Sequence, residues 1–159
     1  MMSGASISVA RSVRGGWTPT TRDLRQWANA VLGRAAPGRE LSVLLVGLRR
    51  SRTLNARYRG RDKSTNVLSF PAPAVAARVC GNLGDLVICP QVLRNEARLQ
   101  HKDVRAHWAH MVVHGVLHLL GYDHQRKRDA QRMERREVRV LRSLGIANPY
   151  IIRSTREHG

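Results

Sequence analysis

Three histidines in the C-terminal part of the chain have the residue type and spacing of metal ligands. His114 and His118 are four residues apart, and His124 follows six residues later in the segment HGVLHLLGYDH. On a helix, residues four apart share one face with Cβ atoms about 5–6 Å apart, so two imidazoles can reach one ion. Gly121 can leave that helix with a positive φ, which would fold His124 back beside the other two. Three imidazoles with an open fourth position are typical of a catalytic zinc site, so we predict one Zn²⁺ per chain.

The residue after the first histidine distinguishes this site from that of a protease. The spacing H-x-x-x-H-x-x-G-x-x-H equals that of the metzincin proteases, in which a glutamate after the first histidine serves as general base. Gly115 stands at that position here. The pattern therefore favours metal binding without proteolysis, although a zinc peptidase-like or other small-molecule hydrolase stays as a less favoured alternative.

Three further residues near the motif have less specific interpretations. His107 and His110 lie one or two turns before His114, and we interpret them as ordinary helix residues rather than ligands. Asp123 has two interpretations that the sequence leaves open. It either accepts a hydrogen bond from a ligand imidazole or caps the turn in which it lies.

The charge of the chain points to a polyanionic partner. Its 159 residues include 28 Lys and Arg against 11 Asp and Glu, which gives a formal net charge of +17. RNA, DNA or an anionic membrane surface could neutralise this charge. An arginine-rich composition without function would produce the same bias. No apolar run approaches the ~18 residues of a membrane span, and we expect a cytoplasmic protein in which Cys80 and Cys89 stay reduced.

The remaining sequence predicts the elements that position the histidines. Apolar runs and turn residues indicate four strands, and helical spacing with capping residues indicates about five helices. The predicted strands are 5–11, 40–48, 67–70 and 83–89, and the predicted helices are 21–32, 51–58, 90–99, 103–120 and 126–144. We predict an α+β fold in a single domain over 1–159, with a mixed four-stranded sheet and the three-histidine site at the end of a long helix.

Several segments resemble one known family. HGVLHLLGYDH is similar to the signature of the YbeY family of endoribonucleases and rRNA maturation factors. Asn55 and the stretch from Tyr58 through Arg59 to Pro71 resemble a second family block. LGDLVI from Leu83 and the tripeptide Asn148-Pro149-Tyr150 resemble two more, and together these segments span about residues 40–151.

The resemblance implies a function and a set of site residues. It implies a single-domain α+β metalloprotein, with zinc held by His114, His118 and His124, and with Arg59 as the candidate catalytic arginine. It implies a single-strand-specific endoribonuclease that matures the 3′ end of 16S rRNA and takes part in ribosome quality control. The implied partners are rRNA and ribosomal subunits, with ribosomal proteins or a ribosome-associated GTPase as further candidates.

The chemistry of these residues is consistent with phosphodiester cleavage. Zinc lowers the pKa of its bound water towards ~7 and polarises phosphoryl oxygens. Arg59 could stabilise the charge that develops on the phosphate. Direct hydrolysis and attack by the RNA 2′-hydroxyl both stay open. A non-catalytic ribosome assembly factor with a structural zinc is the main alternative.

The last predicted helix departs from the family. Residues 125–129 and 131–136 carry many cations where relatives tend to be acidic. Ala130, Met133, Glu137, Leu141 and Leu144 still share one helical face, so we expect the helix to pack normally. The additional arginines either contact nucleic acid or form a solvated face, and the sequence does not distinguish these interpretations.

Overall fold

A mixed sheet forms one layer of the fold. The computed structural model describes residues 5–33, 38–75, 79 and 81–151. Its strands are β1 (Ser6–Arg11), β2 (Glu40–Leu45), β3 (Val67–Pro71) and β4 (Asn82–Ile88). The sheet order is β1-β2-β4-β3, in which β1, β2 and β4 run parallel and β3 runs antiparallel to β4. The predicted mixed four-stranded sheet is confirmed.

Five helices of ten residues or more lie within the described ranges. They are α1 (Thr21–Leu32), α2 (Leu48–Arg59), α3 (Pro90–Leu99), α4 (Val104–Leu119) and α5 (Lys127–Ser143). Helix α4 is central, since it contacts α1, α3 and α5 as well as β3 and β4. Ten of its 16 residues are buried, so the helix that carries His114 and His118 is fixed on most sides by the core.

Helix α1 is tied to the beginning of the histidine-bearing helix. The Thr20 hydroxyl accepts a hydrogen bond from the Asp23 amide, and the Asp23 carboxylate accepts one from the Thr20 amide, which completes a capping box. The same carboxylate accepts two hydrogen bonds of 2.9 Å from Arg105, in the first turn of α4. The hydrogen bonds from Arg105 lower the pKa of Asp23 to about 2, although burial opposes this shift. The carboxylate is therefore ionised throughout the neutral range.

The start of α2 corrects one prediction. We expected the second strand to reach residue 48 and Ser51 to cap the next helix, but β2 ends at Leu45 and α2 already begins at Leu48. Ser51 is buried inside α2, where its hydroxyl donates to the Thr65 carbonyl and accepts from the Thr65 amide, each at 3.0 Å. The predicted cap was wrong because the Ser51 hydroxyl forms hydrogen bonds with the backbone of a distant loop rather than with the first turn of its own helix.

A glycine lets β3 lie close against β4. Gly84 has φ +129°, and a Cβ at this position would lie 2.1 Å from the carbonyl oxygen of Phe70. Any other residue would therefore be strained and would collide with backbone atoms. This close approach matters for the site because β3 also packs against α4.

Two predictions are only partly covered by the described residues. Cys89 is buried with a free thiol, whereas Cys80 lies outside them, so the predicted reduced pair stays a prediction. Among the helices that the structure describes, none is both long enough and apolar enough to cross a membrane.

Candidate metal centre

The three histidines converge at the C-terminal end of α4. One ring nitrogen from each of His114, His118 and His124 lies within 4.8 Å of the others. The ring centroids are 4.7 Å apart for His114 and His118, 4.9 Å for His118 and His124, and 5.7 Å for His114 and His124. This spacing allows one ion to contact all three imidazoles, and it confirms the predicted cluster at the end of a long helix.

A tight turn after α4 brings the third histidine back. Gly121 has φ +99°, and its amide donates to the His118 carbonyl at 3.0 Å. The Tyr122 amide donates to the Leu117 carbonyl, also at 3.0 Å, which ends the helix in the manner of a Schellman motif. The positive φ predicted for Gly121 is confirmed.

Asp123 stabilises the backbone of the same turn. Its Oδ1 accepts hydrogen bonds from the amides of His124 at 2.6 Å and Gln125 at 3.1 Å. Of the two interpretations left open by the sequence, this geometry corresponds to the turn cap. The carboxylate thereby fixes the backbone from which the third imidazole projects.

The donor chemistry of the cluster fits a divalent cation. Burial, together with the neighbouring His114 and His124, lowers the pKa of His118 below its usual value. His118 is therefore neutral at physiological pH and keeps a lone pair for an ion. Three imidazoles that approach this closely would repel one another if protonated, whereas a shared cation makes the arrangement favourable.

Glu137 lies directly behind the cluster and is the best-satisfied carboxylate in the site. It projects from α5, is 1% exposed, and accepts a hydrogen bond of 2.7 Å from His114 Nδ1. Its other oxygen accepts a hydrogen bond of 2.7 Å from His110 Nε2 and another from the Tyr150 hydroxyl. With Nδ1 of His114 donating to Glu137, Nε2 carries the lone pair and can face an ion.

The charge state of Glu137 follows from these contacts. Burial alone would raise its pKa, but the hydrogen bonds from His110, His114 and Tyr150 outweigh burial and lower the pKa to about 2. Burial and the adjacent Glu137 carboxylate raise the pKa of Tyr150. A carboxylate and a neutral phenol are therefore the stable forms, and Glu137 acts only as an acceptor.

Arg59 is connected to the histidine-bearing helix through β3. It is the last residue of α2, not the first residue of the following loop as the sequence had indicated. Its Nη2 donates to the Ser69 carbonyl at 2.9 Å, and the Ser69 hydroxyl donates to the Gly115 carbonyl at 3.2 Å. Gly115 follows His114, so this path joins an exposed guanidinium to the part of α4 that carries the first histidine.

Comparison with known proteins identifies the family. A family model described as endoribonuclease YbeY matches residues 17–145. The chain belongs to the YbeY family. The fold is similar to the solution structure of TM1509 from Thermotoga maritima, with a TM-score of 0.57 and 22% sequence identity. That similarity covers 87% of this chain and 91% of the other.

Membership in the YbeY family supports, in general terms, a metallo-endoribonuclease that acts in rRNA processing. The fold gives a physical reason why this chain has no glutamate after the first histidine. A Cβ on Gly115 would lie 2.8 Å from Leu86 Cδ2 and 3.4 Å from Val67 Cγ2, both in the sheet. A side chain at this position would run into the core rather than reach the three histidines. Position 115 of this YbeY chain therefore serves helix–sheet packing.

The carboxylate behind the histidines was not predicted from the sequence. Glu137 was assigned to the packing face of the last helix, and His110 was treated as an ordinary helix residue. The sequence does contain a signal for it, since Glu137 shares a helical face with the apolar residues Ala130, Met133, Leu141 and Leu144. An ionisable residue on such a face is rarely buried without a partner, so a partner for Glu137 could have been predicted. His107 behaves as expected: it is not part of the cluster, and its Nε2 lies 3.1 Å from Glu96 Oε1.

Proposed function

We propose that this protein is a zinc-dependent endoribonuclease that cleaves single-stranded RNA, with His114, His118 and His124 as the ligands of one Zn²⁺. The observation that carries the proposal is the convergence of three imidazoles within 4.8 Å, one of them held in a fixed tautomer by Glu137. Three protein ligands leave a fourth position for water or substrate, as in catalytic rather than structural zinc sites. The net charge of +17 favours a polyanionic substrate.

The residues around the histidines have separable tasks. Bound zinc would supply a water of lowered pKa as nucleophile and a Lewis acid for a phosphoryl oxygen. Glu137 holds the ring of His114, and Asp123 holds the backbone of His124, so both ligands are oriented before an ion arrives. Arg59 is the proposed catalytic residue, since its guanidinium can donate two parallel hydrogen bonds to a phosphate.

The biological role that we propose follows from the family. The protein would mature the 3′ end of 16S rRNA in the cytoplasm and contribute to ribosome quality control. Its partners would be rRNA and ribosomal subunits, assisted by ribosomal proteins or a ribosome-associated GTPase. Residues 1–159 would act as one metal-dependent hydrolase domain.

Cleavage by the purified protein with quantified zinc tests this function. We expect it to cut a single-stranded RNA and a 16S rRNA precursor, and to leave a fully paired RNA of the same sequence intact. The products would be separated on a denaturing gel, and their ends would be mapped. Zinc-loaded protein that binds the precursor without cutting any RNA would contradict the nuclease and favour a ribosome assembly factor. Cleavage of peptides in preference to RNA would favour the peptidase alternative.

The role of Arg59 makes a separate prediction. Replacing it by lysine keeps the charge but removes the planar fork, so we expect kcat/KM for RNA cleavage to fall by ~100-fold, as when a single transition-state donor is removed. Arg57→Lys is the matched control, because Arg57 is exposed on the same helix and lies over the Tyr58 ring. Zinc content should be unchanged in both variants. Equal rates of RNA cleavage for Arg59→Lys and the wild type would show that Arg59 is not a catalytic residue.

A further inference from the structure

The outward side of α5 carries a row of arginines. The members of this arginine row follow one another at alternating intervals of four and three residues, which places them on one side of the helix. They are Arg128, Arg132, Arg135, Arg139 and Arg142, and all five are exposed. At a rise of about 1.5 Å per residue, the row extends over about 21 Å.

The opposite face of α5 fixes the direction in which the row points. Met133, Val140 and Leu141 are buried in the core, and Glu137 is bound by His110, His114 and Tyr150. The helix cannot turn about its axis without exposing these apolar side chains and breaking the Glu137 hydrogen bonds. The packing of α5 therefore fixes the side of the molecule to which the five arginines project.

Within the described part of the chain, no ion pair neutralises the arginine row, although Asp129 lines the same cavity as Arg132. None of its five arginines takes part in an ion pair there, although Arg52 and Arg105 elsewhere each bind a carboxylate. Each pair of like charges three or four residues apart destabilises a helix by about 0.2–0.5 kcal/mol. Repulsion among the arginines therefore destabilises α5, and an anion bound along the row would relieve this repulsion.

The row begins beside the metal centre. Helix α5 starts at Lys127, three residues after His124. A cavity of about 370 Å³ lies between the turn after α4 and α5, lined by residues 120–123 together with Asp129 and Arg132. The second arginine of the row thus borders the turn that places the third histidine. None of the three histidines lines this cavity, so a strand bound at the histidines would reach the row across the turn after α4.

We propose that the arginine row binds the phosphodiester backbone of an RNA strand that extends from the metal centre along α5. This inference rests on the proposed function, because it takes RNA as the substrate. One cation per helical turn over about 21 Å suits a linear polyanion better than a compact anion. A membrane surface fits less well, since none of the exposed large apolar residues in the described ranges lies on α5.

RNA binding by two charge-matched variants tests the row. The first variant replaces Arg132, Arg135 and Arg139 by glutamine. The control replaces Arg22, Arg50 and Arg98, which are exposed on α1, α2 and α3, so both proteins lose the same charge. Binding of a fluorescent 20-nucleotide single-stranded RNA would be followed by anisotropy at several salt concentrations. All proteins compared in this assay would also carry His118→Ala, which is expected to abolish cleavage, so that the RNA stays intact. A gel run afterwards would check the RNA, and melting would show that each variant is folded.

The row variant should bind this RNA about tenfold more weakly. The magnitude of its slope of log affinity against log salt should decrease by about 2, because each of the three lost phosphate contacts contributes ~0.7. The control should change affinity less than threefold. Equal losses in both variants would show that only net charge matters, and unchanged binding in the row variant would overturn the proposal outright. Loss of binding to phosphatidylserine vesicles with RNA binding unchanged would assign the row to a membrane instead. Because binding is measured without turnover, a protein that binds through the row but never cleaves would leave this inference intact while the proposed nuclease fails.

Discussion

Replacement of His118 by alanine is expected to empty the metal centre and to abolish RNA cleavage. Zinc binding in small protein sites releases about 10–16 kcal/mol, so one ligand of three accounts for roughly 4 kcal/mol. At about 1.4 kcal/mol per tenfold change, affinity for zinc should fall by roughly 1,000-fold. His118 is the ligand whose pKa is lowered by burial and by its two neighbours, so its lone pair is available at neutral pH. Competition with a chromophoric chelator measures the affinity, and a gel assay measures cleavage.

The control for this variant removes an imidazole outside the cluster. His101 is exposed and has φ 53°, a conformation that asparagine tolerates, so His101→Asn should keep both zinc and activity. Without added zinc, His118→Ala should melt close to metal-free wild type, because its side chain is only half-buried. A His118→Ala protein that binds one zinc with wild-type affinity and still cleaves would show that the metal centre lies elsewhere.

The histidine cluster could be predicted from sequence because its geometry is local. His114 and His118 share one helix, and the positive φ of Gly121 returns the chain over only three further residues to His124. Helical spacing and turn chemistry contain almost all of this information. The structure adds the roles of the surrounding side chains, such as the Asp123 carboxylate that caps the turn.

Contacts between elements far apart in the chain were harder to predict. Glu137 reaches His114 across 23 positions, and that contact depends on how α5 packs against α4. Ser51 forms its hydrogen bond with Thr65, 14 positions away. The local sequence does not indicate this partner, so Ser51 was predicted to cap a helix instead. Arg59 was identified by resemblance alone, and its connection to α4 through Ser69 becomes visible only when β3 is in place. Local sequence patterns do not predict hydrogen bonds that form only when distant elements pack together.

Glu137→Gln is expected to weaken zinc binding by about 10–100-fold, the usual effect of removing a carboxylate that orients a metal-binding histidine. Glutamine has nearly the same shape but only one acceptor oxygen, while His110, His114 and Tyr150 all donate to this side chain. At least one buried donor would face the amide NH₂ and lose its partner, which should cost about 1–3 kcal/mol of folding free energy. An amide oxygen that faces His110 and Tyr150 satisfies two donors, and in that orientation His114 loses the bond that keeps Nε2 free for the ion. Chelator competition measures the affinity, and urea unfolding measures stability.

The zinc dependence of stability separates positioning from simple structural support. If Glu137 only held the fold together, Glu137→Gln would lower the melting temperature equally with and without zinc. If it orients His114, the rise in melting temperature produced by a fixed zinc concentration should also shrink, because a ligand stabilises the folded state in proportion to the logarithm of its affinity. Glu134→Gln is the matched control, since Glu134 is exposed on the same helix. A full zinc-induced rise in Glu137→Gln would leave Glu137 as a structural residue, and the orientation of His114 would then have to come from the packing of α4 alone.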